Sequence, residues 1–297
     1  MIQDQIKAIV AGRVDHDGLT KTGFPGVQLF RATQPMPCAP AVYEPCVVAI
    51  ASGEKEAVLD GQTFVYDKRH YLVCPTSLPV NAGTPKASPE TPLFGVFVSL
   101  KSRVMTDLAL EMETLDGLVP KPGGARTARG IKLAPWDKPF SDALLRLLQL
   151  GESEIDTAVL GEARLRELYY AILKGEAGAF ARRAFGAGNA IARSIAHVSA
   201  NLDAPMSVDA LARRAGMSRA VFHRRFKDAT TMSPIQFVKS IRLNEAAKRI
   251  AAGTRVSDAA NDVGYESASQ FSRDFKRLFG RSPRHWRQSQ LGADRFA

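Results

Sequence analysis

The chain is poor in the residues that mark secreted, membrane-spanning or metal-dependent proteins. Its three cysteines, Cys38, Cys46 and Cys74, form an odd set with no Cys-x-x-Cys pair. That excludes a disulfide framework and fits a reducing, cytoplasmic location. No run approaches the ~20 apolar residues of a membrane span. Residues 1–18 lack the apolar stretch of a signal peptide. Of five histidines only His16 and His70 fall in residues 1–187. A facial metal triad needs more ligands than this, so neither a metal nor another cofactor is expected. Acidic residues are also short, but only on one side. Residues 188–297 hold 19 Lys+Arg against 9 Asp+Glu, whereas residues 1–187 hold 21 of each. The whole excess of +10 therefore lies in the last third. This is the footprint of a polyanion-binding module joined to a neutral domain.

A motif occurs twice within the basic third. The first copy carries Val208, Leu211, Ala212, Gly216, Ser218, Phe222, Phe226, Ser233 and Pro234. The second carries Val256, Ala259, Ala260, Gly264, Ser267, Phe271, Phe275, Ser282 and Pro283. From the serine onward the paired residues are 49 apart, while Ala212/Ala260 and Gly216/Gly264 are 48 apart. The pattern predicts two helix–turn–helix units, at about 207–228 and 256–278. In each, a small residue lets two helices cross, a glycine makes the turn, and a serine caps the next helix. With Phe222 and Phe226 turned inward, the outer face of the first capped helix carries Ala220, His223, Arg224 and Lys227. The second presents Ser269, Gln270, Arg273, Lys276 and Arg277. Arginine can grip guanine with two hydrogen bonds, and glutamine can do the same to adenine. Lys276 and Arg277 lie further along, where phosphate contact is expected. Between the motifs, residues 234–252 read as one stiff helix with Pro234 at its first turn.

Residues 26–100 read as short strands (27–31, 46–51, 54–59, 63–66, 70–74 and 93–100) separated by glycine and proline, which suggests a small barrel or sandwich. Helical periodicity follows over 102–116, 137–150 and 154–174. The stripe Leu160, Leu165, Leu168 and Ile172 either packs within the chain or pairs with a second copy. Residues 117–130 read as a loop, and the Ala/Gly-rich residues 175–188 as an interdomain linker. For the cysteines two readings stay open. They are small buried hydrophobes, or one is an electrophile or redox sensor with a lowered pKa, with Lys68, Arg69 and His70 as the cations that would lower it.

The segment from about 190 to 290 resembles the DNA-binding domain of the AraC/XylS family of bacterial transcription regulators. The residues that carry this are Leu211–Ala212, Gly216–Met217–Ser218, Phe222, Phe226–Lys227, Ser233–Pro234, Arg242–Leu243 and Ala246, then Ala259–Ala260, Gly264–Tyr265–Glu266–Ser267, Phe271–Ser272–Arg273, Phe275–Lys276 and Ser282–Pro283. Residues 1–187 resemble, through Tyr66–Asp67, Tyr71–Leu72–Val73, 76–80 and 87–90, the sensor domain of an aldehyde-responsive AraC-type subgroup.

The resemblance implies an α+β protein. Residues 1–187 would form a cupin-like β-barrel sensor domain with flanking helices, and residues 188–297 an all-α DNA-binding domain. It implies a bacterial activator or repressor, not an enzyme, that responds to a small molecule such as an aldehyde or other electrophile. Its partners would be duplex promoter DNA, RNA polymerase and a second copy of the chain. By family position, base reading falls on Ala220, His223, Arg224, Ser269, Gln270 and Arg273, and phosphate contact on Ser218, Lys227, Ser267, Lys276 and Arg277. Ala220 departs from the family in being small, so the first head would read fewer bases. Two other classes remain: a DNA-anchored cupin-like enzyme, and a DNA-binding protein that needs no effector.

Overall fold

The structure, a computed structural model, describes residues 2–116, 130–185 and 190–286. The chain divides into two compact units. One comprises Met1–Cys38, Tyr43–Thr76 and Ala82–Asn189, the other Ala190–Ala297 with Ala39–Val42 and Ser77–Asn81. The boundary expected at 187/188, and the loop expected over 117–130 except Gly130, lie outside the described residues.

Helix α1 (Ile2–Arg13) opens the chain. Nine strands follow: β1 (Gly18–Lys21), β2 (Val27–Ala32), β3 (Met36–Tyr43), β4 (Cys46–Ser52), β5 (Glu54–Leu59), β6 (Gln62–Asp67), β7 (His70–Cys74), β8 (Leu78–Thr84) and β9 (Leu93–Ser99). Then come α2 (Ser102–Asp116), β10 (Lys132–Pro135), α3 (Lys138–Gln149), α4 (Glu154–Lys174) and α5 (Gly178–Phe185). The strands do not close into the expected barrel. They form two open sheets, in the orders β1-β2-β9-β4-β7-β10 and β3-β8-β5-β6.

Helices supply the cover that closure would have given. Ile6 and Val10 of α1 and Phe140 and Leu144 of α3 share one core with Val47, Ala49, Tyr71, Val73, Val96 and Val98 of the six-stranded sheet. Alternation puts Cys46, Val48 and Ile50 on the opposite face of β4, and they are equally buried. A strand buried on both faces reads as the unbroken apolar run seen from Cys46 to Ala51. The β5–β6 turn is a two-residue loop, Asp60–Gly61, with both φ positive (52° and 74°). This is the backbone that a tight hairpin requires.

The described part of the expected linker, residues 175–185, is not a linker, and residues 186–188 lie outside the described residues. Gly178–Phe185 is helix α5, whose Ala181 and Phe185 are buried in the first core. Of the stripe on α4, Leu165, Leu168 and Ile172 are buried in that same core, and Leu160 is exposed.

Apart from its short pieces of β3 and β8, the second unit is helical: α6 (Ala190–Ala200), α7 (Val208–Arg214), α8 (Arg219–Thr230), α9 (Pro234–Ala251), α10 (Val256–Asp262) and α11 (Ala268–Phe279). Phe222, Phe226 and Phe237 pack ring to ring. Phe271, Phe275 and Phe279 continue to Trp286 in a second aromatic row. No helix among the described residues is long and apolar enough to cross a membrane.

Candidate nucleic-acid interface

The two helix–turn–helix units share a turn glycine and a serine cap on the second helix, and the first unit adds a serine cap on its first helix, where α10 has no side-chain cap. Ser207 caps α7 by accepting from the Ala210 N–H, and Ser218 caps α8 by accepting from Val221 N–H. Between them Gly216 holds φ +66°, a left-handed conformation that costs a glycine nothing. In the second unit Gly264 holds φ +76°, and Ser267 caps α11 by accepting from Gln270 N–H. The stiff spacer read from sequence is α9. Its start is a reciprocal capping box, in which the Ser233 hydroxyl accepts from Gln236 N–H and the Gln236 side chain accepts from Ser233 N–H.

The apolar positions fall inside. Phe222, Phe226 and Phe275 are fully buried, and Phe271 is 1% exposed. The polar faces of α8 and α11 are thereby turned to solvent. Ala220, His223, Arg224 and Lys227 are exposed, as are Ser269, Arg273, Lys276 and Arg277, and Gln270 is half-buried. Ser218 and Ser267 are exposed at the helix starts. The two faces are not alike. Arg224 and His223 hold no side-chain hydrogen bond or ion pair among the described residues. On α11, Arg273 Nη2 donates to Gln270 Oε1 at 3.0 Å, and the hydroxyls of Ser267 and Ser269 lie 3.0 Å apart.

Two residues of this unit, Asp274 and Lys239, escaped the sequence reading, and Arg242 was noted there without a structural role. Asp274, on α11, is 2% exposed. It accepts from Arg277 (2.6 Å), Gln270 (2.9 Å) and Tyr265 (3.4 Å), and Lys239 of α9 lies 3.3 Å from it. Burial alone would raise its carboxyl pKa, but Gln270, Lys239 and Arg277 outweigh it and hold the pKa below the ordinary value. Arg242 of α9 donates to the carbonyls of Gly264 and Ala204, pinning the second turn. The available signal was an acid four residues after Gln270 on an otherwise basic helix, the spacing of helix-surface partners.

The candidate sensor residues sit elsewhere. Cys46 and Cys74 are fully buried and lie directly opposite each other on β4 and β7. Burial pushes both thiols up, and Cys74 donates to the Thr76 carbonyl. Cys38 is half-buried, and burial and the neighbouring Glu56 carboxylate raise it too. None of the three has the lowered pKa that a thiolate sensor needs. Lys68, Arg69 and His70 are not among the groups that shift these thiols. Among the described residues no cluster of three or more His, Cys, Asp or Glu could hold a metal ion. The first unit does contain a cleft of about 1030 Å³ whose lining mixes Lys7, Lys68, Lys86 and Lys138 with Asp4, Glu54 and Asp67.

Known proteins place this arrangement. Residues 23–180 match the profile of the AraC-type transcriptional regulator N-terminus, and residues 211–289 that of a helix-turn-helix domain. The regulatory protein SoxS of Escherichia coli K12 is 33% identical over 94 residues, which are 31% of this chain and 88% of SoxS. The HTH-type transcriptional regulator AlkR of Acinetobacter baylyi is 32% identical over 99 residues, 33% of this chain and 32% of AlkR. The chain thus matches only a third of AlkR's length. Among solved structures, ToxT of Vibrio cholerae O395 superposes with TM-score 0.60 at 13% identity, over 89% of this chain and 98% of ToxT, which establishes the shared fold. The N-terminal profile alone spans more than half of the 297 residues, and the chain belongs to the AraC-type transcriptional regulators.

Proposed function

We propose that this protein is a sequence-specific, cytoplasmic transcription regulator and not an enzyme. Its second unit reads successive major grooves of duplex promoter DNA through α8 and α11. The observation that carries this reading is the repeated capped helix. Both copies bury their phenylalanines and expose an arginine at the equivalent position, Arg224 and Arg273. Ala220, His223 and Arg224 contact base edges from the first head, and Ser269, Gln270 and Arg273 from the second. Lys227, Lys276, Arg277 and the capping Ser218 and Ser267 contact phosphates. At 1.5 Å per residue, α9 is about 27 Å long, a rigid spacer somewhat shorter than the ~34 Å between successive major grooves, with the heads at its two ends making up the rest of the span.

The first unit responds to a small molecule, and its cleft, lined by residues of both charges, is where we place that ligand. One ToxT structure of this fold is bound to an unsaturated fatty acid, which supports a ligand-responsive role for the first unit. The raised thiol pKa values favour the cysteines as packing groups over electrophile traps. Coupling to RNA polymerase and action as a homodimer complete the proposal.

The test is selection of binding sites from a random DNA library by the full chain. Wild type should enrich a bipartite site. Arg224→Ala and Arg273→Ala should each lose about 1–3 kcal/mol of specific binding and relax discrimination at one base pair, in different halves of the site. If both variants kept the full base preference, the reading faces would be misassigned.

A further inference from the structure

We propose that Asp274 is a positioning residue that locks the side-chain amide of Gln270 in one orientation, and so fixes the base preference of the second head without touching DNA. The inference rests on the reading of α11 as a base-reading helix and concerns how that helix obtains its selectivity.

The argument is one of hydrogen-bond polarity. A glutamine amide offers donors on one side and an acceptor on the other, and a rotation of 180° exchanges them. Asp274 Oδ2 accepts from Gln270 Nε2 at 2.9 Å, and Gln270 Oε1 accepts from Arg273 Nη2 at 3.0 Å. Rotated, the amide would aim its oxygen at a carboxylate and its N–H groups at a guanidinium. Both contacts would be repulsive, so the pair of charges excludes the rotated state. The locked amide keeps one N–H and one oxygen lone pair free, the complement of adenine's major-groove edge. Arg273 is held by the same chain of bonds. The carboxylate is itself fixed by Arg277 at 2.6 Å and by Lys239 of the spacer helix at 3.3 Å.

The first head has no such device. Forty-nine residues earlier, Val221 stands where Gln270 does, and the exposed Arg225 stands where Asp274 does. Arg224 is therefore untethered, and the first head adapts to its site where the second is preset. The two motifs share a fold but not a reading mechanism.

The experiment has two arms on the full chain. In the first, hydrogen exchange of the Gln270 side-chain amide is followed by NMR in wild type, with the resonance assigned from a Gln270→Ala variant. Slowed exchange relative to an exposed glutamine is expected, and exchange at the free rate overturns the lock. In the second, site selection is repeated with Asp274→Asn and Lys239→Met. Asp274→Asn leaves a side chain that can donate to Gln270 and so permits the rotated amide. Discrimination at one base pair of the second half-site should fall about tenfold, with the first half-site unchanged. Lys239→Met weakens the anchor but leaves the carboxylate on Gln270, so its base preference should stay that of wild type. If Asp274 served only stability, the two variants would weaken binding alike and leave preference unaltered, and that pattern overturns the proposal. Where Asp274→Asn does not fold, the exchange measurement on wild type decides alone. Absence of any enriched site for wild type would instead refute the DNA-reading function, while the exchange arm would still judge the lock.

Discussion

Gly264 carries a constraint that Gly216 lacks, although both make the same turn. A Cβ at Gly264 would meet the Asp203 carbonyl oxygen at 2.8 Å and the Leu202 carbonyl oxygen at 2.9 Å, whereas nothing lies within 4 Å of one at Gly216. Gly216→Ala should therefore cost only the left-handed backbone, about 1–2 kcal/mol. Gly264→Ala adds a backbone clash of about 1–3 kcal/mol. The check is urea unfolding read by Trp286 fluorescence in a Trp136→Phe background, since these are the only tryptophans in the chain. Equal costs would mean that the close approach to residues 202–203 does not exist in solution. Both glycines were legible as turn formers, but the carbonyls behind Gly264 come from outside the motif and leave no local trace. The cysteines make a similar point. With Cys46 and Cys74 fully buried and all three thiols raised, a maleimide should label native protein at Cys38 and reach the other two only on unfolding. Peptide mass spectrometry would read this, and rapid native labelling of Cys46 or Cys74 would contradict their burial.

Elements differ in how plainly a sequence declares them. The six strand runs read from composition fall on β2, β4, β5, β6, β7 and β9, the ones rich in branched and aromatic residues. The strands that escaped are of another kind. β3 (MPCAPAVY) contains two prolines and ends its sheet, the position where a missing N–H is tolerated. β1 and β10 are four-residue edges, and β8 is interrupted by Pro79, Asn81 and Gly83. Helix α5 hid in an Ala/Gly-rich stretch, although Ala181 and Phe185 have the spacing of a buried face. Barrel closure was over-read because alternation reports a strand's faces and not its neighbours. The reading helices were legible down to their caps, since capping is local. The anchor of α11 was not, because Asp274 finds Lys239 on a different helix. That anchor has a pH signature. A carboxyl held below its unfolded pKa contributes stability that is present above the unfolded value, near 3.8, and is lost as pH falls through the folded value. The Trp286 transition should therefore weaken as pH is lowered from about 5 toward 3, and Asp274→Asn should flatten that dependence. An unchanged slope in the variant would show that other carboxyls govern the acid side.

The whole molecule is an electrostatic asymmetry, and it sets how affinity responds to salt. Residues 1–187 are balanced, and residues 188–297 carry the full +10. Within the second unit several acids are already engaged: Asp209 with Arg219, Glu245 and Asp262 with Arg249, and Asp274 with Arg277. Arg224, Lys227, Arg273 and Lys276 are exposed, and in the proposed reading they meet DNA. Neutralising about five to eight phosphates gives a slope of log K against log salt of about −4.5 to −7. Fluorescence anisotropy on a labelled duplex between about 50 and 300 mM salt would measure it. Lys276→Ala should make the slope shallower by about 1 and weaken all sequences equally, because a phosphate contact carries no base information. An effector bound in the neutral first unit adds no phosphate contact. It should displace the line vertically and leave its slope unchanged. A slope near zero for wild type would mean that the basic face does not meet the phosphate backbone, and the tandem heads would then need another partner.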